Sequence, residues 1–187
     1  MVQSPAQAIS LAEFLDQPET QPPREYIDGQ IIQKQMPKGE HSAIQTELAA
    51  AIYLSLKRTK TARAFSELRC TFAGQSVIPD ISVFRWENIP RQDNGRIENE
   101  FLIAPDWAIE ILSPGQSQTP IIKKLIDCLK HGTQMGWLID PGEQIVFAYH
   151  LDKSTSFHTQ DDEVLPTPDF AAKLELKVSE LFGWLMD

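Results

Sequence analysis

Val77-Ile78-Pro79-Asp80-Ile81-Ser82-Val83-Phe84 is the run that decides the fold, together with its echo Trp107-Ala108-Ile109-Glu110-Ile111-Leu112. Both are rich in β-branched and aromatic residues, the composition of a strand. Alternation puts Ile81 and Val83 on one face, with Asp80 and Ser82 on the other. It also separates Trp107, Ile109 and Ile111 from Ala108, Glu110 and Leu112. Two such strands in one sheet can bring Asp80 and Glu110 to a shared face. Two desolvated carboxylates repel, so they need a proton or a cation between them. A divalent metal held by oxygen ligands is the simplest answer.

The chain has 187 residues, enough to bury a sizeable core in one domain, so 1–187 is expected to be a single domain with a core over about 10–185. With 42% hydrophobic and 23% charged residues, a globular protein is expected and not a disordered one. No apolar run approaches the roughly 20 residues that cross a bilayer. The first residues carry neither a basic nor an apolar export segment. Cys70 and Cys128 are too few for a disulfide framework or a thiolate metal site. A reduced, cytoplasmic protein without a membrane partner is expected. The net charge of -9 opposes broad nucleic-acid binding. Locally, Lys57, Arg58, Lys60, Arg63 and Arg69 face a single acid, Glu67. This basic stretch at 57–69 is either a DNA contact or a solvated surface.

Outward from the two strands, Ser10-Leu11-Ala12-Glu13 has the capping-box pattern of a short helix, ended by the prolines from Pro18 onward. Asp28-Gly29 between apolar pairs signals a tight hairpin. Residues 42–58 read as an amphipathic helix with Ile44, Leu48, Ala51 and Ile52 inward, and Glu47 on the edge of that stripe, either able to reach towards a site or a surface carboxylate on the helix flank. Ala64–Phe72 and Ser76–Phe84 read as antiparallel strands around Gly74, and 85–105 as a long loop. Thr119-Pro120 opens a second helix that closes at Gly132. On it Lys123 points away from the apolar stripe, whereas Lys124 flanks it, so if either lysine visits a buried site, helix geometry picks Lys124. Strands at 136–140 and 145–149 follow, then the alternating Leu174, Leu176 and Val178, and a short helix over 181–185. His41, His131, His150 and His158 lack metal-ligand spacing; His41, near a helix start, is placed to line a cleft, with a surface or capping role the favoured reading. An α+β fold, a mixed β-sheet flanked by helices, fits this pattern.

Gly74 to Ile81, Glu110-Ile111-Leu112-Ser113-Pro114, a lysine in the next helix and Gly136-Trp137-Leu138-Ile139-Asp140-Pro141 occur in that order. The Asp28-Gly29 turn and His41 precede them. In this the chain resembles a large bacterial family of restriction-endonuclease-like proteins within the PD-(D/E)XK nuclease superfamily. The resemblance implies a restriction-endonuclease-like mixed sheet and a Mg²⁺-dependent endonuclease that hydrolyses DNA phosphodiester bonds. It implies Asp80, Glu110 and Lys124 as catalytic residues. One or two Mg²⁺ or Mn²⁺ ions would be held by Asp80, Glu110 and the Ile111 backbone carbonyl. Glu25 or Glu47 would be additional site carboxylates. DNA is the implied partner, and a homodimer fits the class. Three departures stand out. The superfamily's lysine position is Leu112 here, with Lys124 on the following helix as the match; Gln30 replaces an acid; Cys128 replaces a tyrosine. They keep open a catalytically degenerate nuclease fold that serves as a DNA- or protein-binding module. A merely structural ionic cluster is the third reading.

Overall fold

The computed structural model describes residues 9–186. Strand pairing divides the chain between two sheets. The first strands are β1 (Arg24–Ile27) and β2 (Gln30–Gln33), joined at Asp28-Gly29. Both turn residues have positive φ, 51° and 75°, as a two-residue hairpin with the right twist requires. Before them, α1 (Leu11–Leu15) is closed by the expected capping box, with Ser10 Oγ accepting from the Glu13 N–H and Glu13 accepting from the Ser10 N–H. After them, α2 (Gly39–Leu56) buries Ile44, Leu48 and Ile52.

The two long strands expected over 64–72 and 76–84 are each broken, and the breaks move the chain from one sheet to the other. The segments are β3 (Ala62–Ser66), β4 (Cys70–Phe72), β5 (Gln75–Val77) and β6 (Ile81–Arg85). Glu67 interrupts the first run with a positive φ of 49°. Pro79, which has no N–H to give a ladder, interrupts the second. Antiparallel pairing about Gly74 holds for β4 with β5, and β3 pairs antiparallel with β6. The four-stranded sheet therefore runs β2-β1-β5-β4.

The larger sheet adds β7 (Trp107–Ile111), β8 (Met135–Asp140), β9 (Ile145–His150) and β10 (Thr155–His158), in the order β10-β9-β8-β7-β6-β3. Only β7 and β8 in it are parallel, and α3 (Gln118–Lys130) is the crossover between them. One face of this sheet packs Ile81, Val83, Ile109 and Trp137 against α2 and α4 (Val178–Gly183). The other packs Phe84, Ala108 and Leu138 against Leu125 and Cys128 of α3. Strand parity sorts the residues as alternation requires. Trp107 and Trp137 meet edge to face, ring centroids 4.8 Å apart, a contact that contributes about 0.5–1.5 kcal/mol beyond burial.

Two local expectations change. Leu174 and Leu176 are buried but form no strand, and the last helix begins at Val178 and ends at Gly183. The polar segment after β9 contains β10, whose Phe157 faces solvent and so gives no core signal.

Close approach of α3 to the sheet depends on Gly136. A Cβ there would lie 3.3 Å from both Cβ and Cδ2 of Leu125. Gly136→Val should therefore push α3 outward and cost about 1–3 kcal/mol. Thermal denaturation should show a melting temperature several degrees lower; an unchanged value would mean that the helix seat is not fixed by this contact.

Candidate active site

Asp80, Glu110, Glu25 and Lys124 stand far apart in sequence yet line one cleft. Each is at most 4% exposed. Asp80 immediately precedes β6, Glu110 lies on β7, Glu25 on β1 and Lys124 on α3. Ile81 faces Ile109 across β6 and β7, so the next step outward sets Asp80 beside Glu110 on the shared face.

Pro79 explains how Asp80 comes free of the ladder. Continuing the register would put Ile111 opposite Pro79, which has no N–H for the Ile111 carbonyl. The Ile111 N–H instead donates to Asp80 Oδ2 at 2.8 Å. Gln45 of α2 donates to the Asp80 carbonyl at 2.9 Å, fixing the bend from the other side. One imino acid thus frees a carbonyl and orients a carboxylate at the same point.

Lys124 Nζ donates to Glu25 Oε1 at 2.9 Å and lies 2.7 Å from Glu110 Oε1. The second contact is a buried ion pair, so the one ammonium bridges both glutamates. Glu25 Oε1 also accepts from the Ile78 N–H at 2.6 Å, tying the small sheet to the cleft. Lys123, the rejected neighbour, is exposed and pairs with Asp28.

Sequence reasoning missed Lys34 and misjudged His41. Lys34, just past β2, donates to Asp80 Oδ1 at 2.8 Å and to the Ile78 carbonyl at 2.7 Å. His41 is no surface or capping residue. It is buried in the first turn of α2, with Nε2 3.5 Å from Asp80 Oδ1 and Nδ1 3.4 Å from Ser113 Oγ. Its position in the turn before Ile44 and Gln45 was the available signal. Nothing in the polar run around Lys34 marked it.

Glu47 does not join the site. Relative to Ile44 it turns about 60° one way, whereas His41 and Gln45 turn about 60° and 100° the other way, towards Asp80. Glu47 is exposed. The basic stretch at 57–69 is also elsewhere. Lys57 follows the far end of α2, roughly 18 Å along the helix from Gln45. Arg69 is engaged by Glu19 and Ser76. Of the other histidines, His150 and His158 both approach Ser156 near β10, three strands from β7.

The charges separate the two acids. Burial pushes the Glu110 carboxyl up to about 7, with Lys124 opposing the rise. Burial also acts upward on Asp80, but the Lys34 charge and the His41 ring outweigh it and hold that carboxyl below the usual range. For Lys124, burial acts downward and is overcome by Glu110 and Glu25, so the ammonium is retained above its ordinary value. At neutral pH the cleft therefore holds an ionised Asp80, a charged Lys124 and a Glu110 poised to gain or lose a proton.

Among the described residues no group of three His, Cys, Asp or Glu side chains forms a ready metal cluster. The donor set still fits a hard cation. Mg²⁺ typically takes one or two carboxylates and fills its remaining positions with water and phosphate. Asp80 Oδ1, the Glu110 carboxylate and the Ile111 carbonyl are oxygen donors of that kind.

A mixed sheet carrying two acids at adjoining strand positions, with an ammonium delivered by the crossover helix, defines a nuclease-like fold. Residues 11–179 match the model of the Uma2 family, described as "Putative restriction endonuclease", and the chain belongs to that family. A crystal structure of "a putative nuclease belonging to DUF820" from Anabaena variabilis is 58% identical, with a TM-score of 0.93. The match covers 95% of this chain and 99% of that one. No curated protein matches. No helix among the described residues is long and apolar enough to cross a membrane.

Because Glu110 has an ordinary value of 4.5 and is raised to about 7, the folded protein binds more protons than the unfolded chain between those limits. This group's contribution to stability must then fall as pH rises through that window. Relative to Glu110→Gln, the metal-free protein should lose about 1–3 kcal/mol between pH 5 and 8, read by urea denaturation. Parallel stability curves for the two proteins would contradict the assignment.

Proposed function

We propose that the cleft hydrolyses DNA phosphodiester bonds with the help of Mg²⁺ or Mn²⁺. The observation that supports this most is the burial of Asp80, Glu110 and Lys124, from three separate elements, in one cleft. Asp80 Oδ1, Glu110 and the Ile111 carbonyl would hold the cation, which when bound supplies charge neutralisation and a more acidic water. The chain's own residues do the rest. Lys124, kept cationic by Glu25 and Glu110, offers a preorganised positive charge to the phosphate oxygens as negative charge grows on them. Glu25 positions that ammonium. Asp80 stays ionised through neutral pH, and Glu110 can give up its proton when a cation approaches.

Purified protein with Mg²⁺ or Mn²⁺ should nick supercoiled plasmid, and Asp80→Ala should lower the rate at least about 100-fold, the loss expected when electrostatic stabilisation is removed. Lys124→Met should lower it comparably; it also leaves Glu25 and Glu110 buried without their cation, at about 3–5 kcal/mol of stability, so its rate is read on protein shown by circular dichroism to be folded. Equal cleavage by the Asp80→Ala preparation would trace the activity to a contaminant. If neither cleavage nor heat of Mg²⁺ binding were found at millimolar metal, the reading as a binding module would stand in its place.

A further inference from the structure

The two oxygens of Asp80 have different partners. Oδ2 is held by the Ile111 main chain, so Oδ1 is the oxygen left to face a cation in the cleft. That place is taken. Lys34 Nζ sits 2.8 Å from Oδ1. A Mg²⁺ ion bound to the same oxygen at about 2.1 Å would lie no more than about 5 Å from the ammonium, and the two charges would repel. The two cations therefore compete for one atom.

Lys34 and Lys124 are built differently. Lys124 is locked between Glu25 and Glu110, with 5% of its side chain exposed. The Lys34 side chain is 11% exposed and has one carboxylate partner. Its backbone is pinned, the N–H donating to the Pro23 carbonyl at 3.0 Å, and no regular structure follows before Gly39. The side chain can therefore swing while its Cα stays in place. Beside it, His41 Nε2 is buried without a hydrogen bond and faces the same oxygen. Two nitrogen-bearing side chains thus converge on one carboxylate oxygen.

Building on the nuclease reading above, we propose that Lys34 is an internal counter-ion. It neutralises Asp80 in the metal-free protein, leaves when a divalent cation binds, and then pairs with a phosphate of the nucleic acid. The exchange prevents a bare buried carboxylate before metal arrives. It also supplies a cation for the substrate on a chain whose net charge of -9 otherwise repels it.

Calorimetry with Mn²⁺ alone, without DNA, tests the first half. Lys34→Met should bind Mn²⁺ at least threefold more tightly than the unaltered protein, and Lys123→Met, which removes an exposed charge on α3, should not. Lys34→Gln, which keeps a donor for the Ile78 carbonyl, should show the same gain and guards against a folding defect in the methionine variant. The metal-free Lys34 variants should also melt at lower temperature and recover more than the unaltered protein when Mn²⁺ is added. Binding of a short DNA duplex in Ca²⁺ tests the second half and should weaken at least threefold. Equal or weaker Mn²⁺ binding by both Lys34 variants, with the unaltered protein binding normally, would overturn the counter-ion proposal and leave the nuclease reading intact. Unchanged duplex binding would overturn the phosphate role. Absence of Mn²⁺ binding in every protein would bring down the nuclease reading and the proposal together.

Discussion

Three carboxylates buried within one cleft are an electrostatic problem before they are a function. Each would be costly to desolvate alone, and their mutual repulsion adds to that cost. The structure answers with two ammonium groups, Lys124 between Glu25 and Glu110, and Lys34 on Asp80. Most of the surrounding architecture can be understood as the means of delivering those charges. The crossover helix α3 brings Lys124, the hairpin of β1 and β2 brings Glu25 and Lys34, and α2 brings His41 and Gln45.

The local device at the centre is a proline. A central strand does not ordinarily tolerate one, because a ladder hydrogen bond is lost. Here the loss occurs where the chain passes from the small sheet to the large one. It turns Asp80 inward and leaves the Ile111 carbonyl without a ladder donor, while Asp80 Oδ2 takes over the Ile111 N–H. A local break in regular structure and the assembly of the site are thus one event. The same neighbourhood drives the two acids apart in proton affinity: Asp80 meets the Lys34 ammonium and the Ile111 amide, whereas at Glu110 burial outweighs the nearby Lys124 charge.

Much of this was readable in the residues. Period-two alternation around Asp80 and Glu110 fixed their common face, and helical geometry distinguished Lys124 from Lys123 correctly. Both inferences rest on strict local periodicities, which tertiary packing seldom overrides. The failures lie where packing, and not period, decides. Two strand runs were read as continuous because their β-branched composition persists across Glu67 and Pro79. Glu47 was admitted because a helical wheel gives a stripe with two flanks and cannot say which flank faces the site. Lys34 was invisible, since its role depends on a contact 46 positions away with Asp80. The basic run at 57–69 was open between a DNA contact and a solvated surface; its first residue, Lys57, follows the end of α2 and its last, Arg69, pairs with Glu19.

The central claim is that Asp80, Glu110 and the Ile111 carbonyl form a single cation site. Anomalous diffraction from a crystal soaked in Mn²⁺ tests it most directly. The account predicts a peak within about 2.5 Å of Asp80 Oδ1, Glu110 and the Ile111 carbonyl, with Lys34 turned away from the aspartate. A well-diffracting crystal with no peak there, or with manganese only at surface acids such as Asp161 and Asp162, would contradict it.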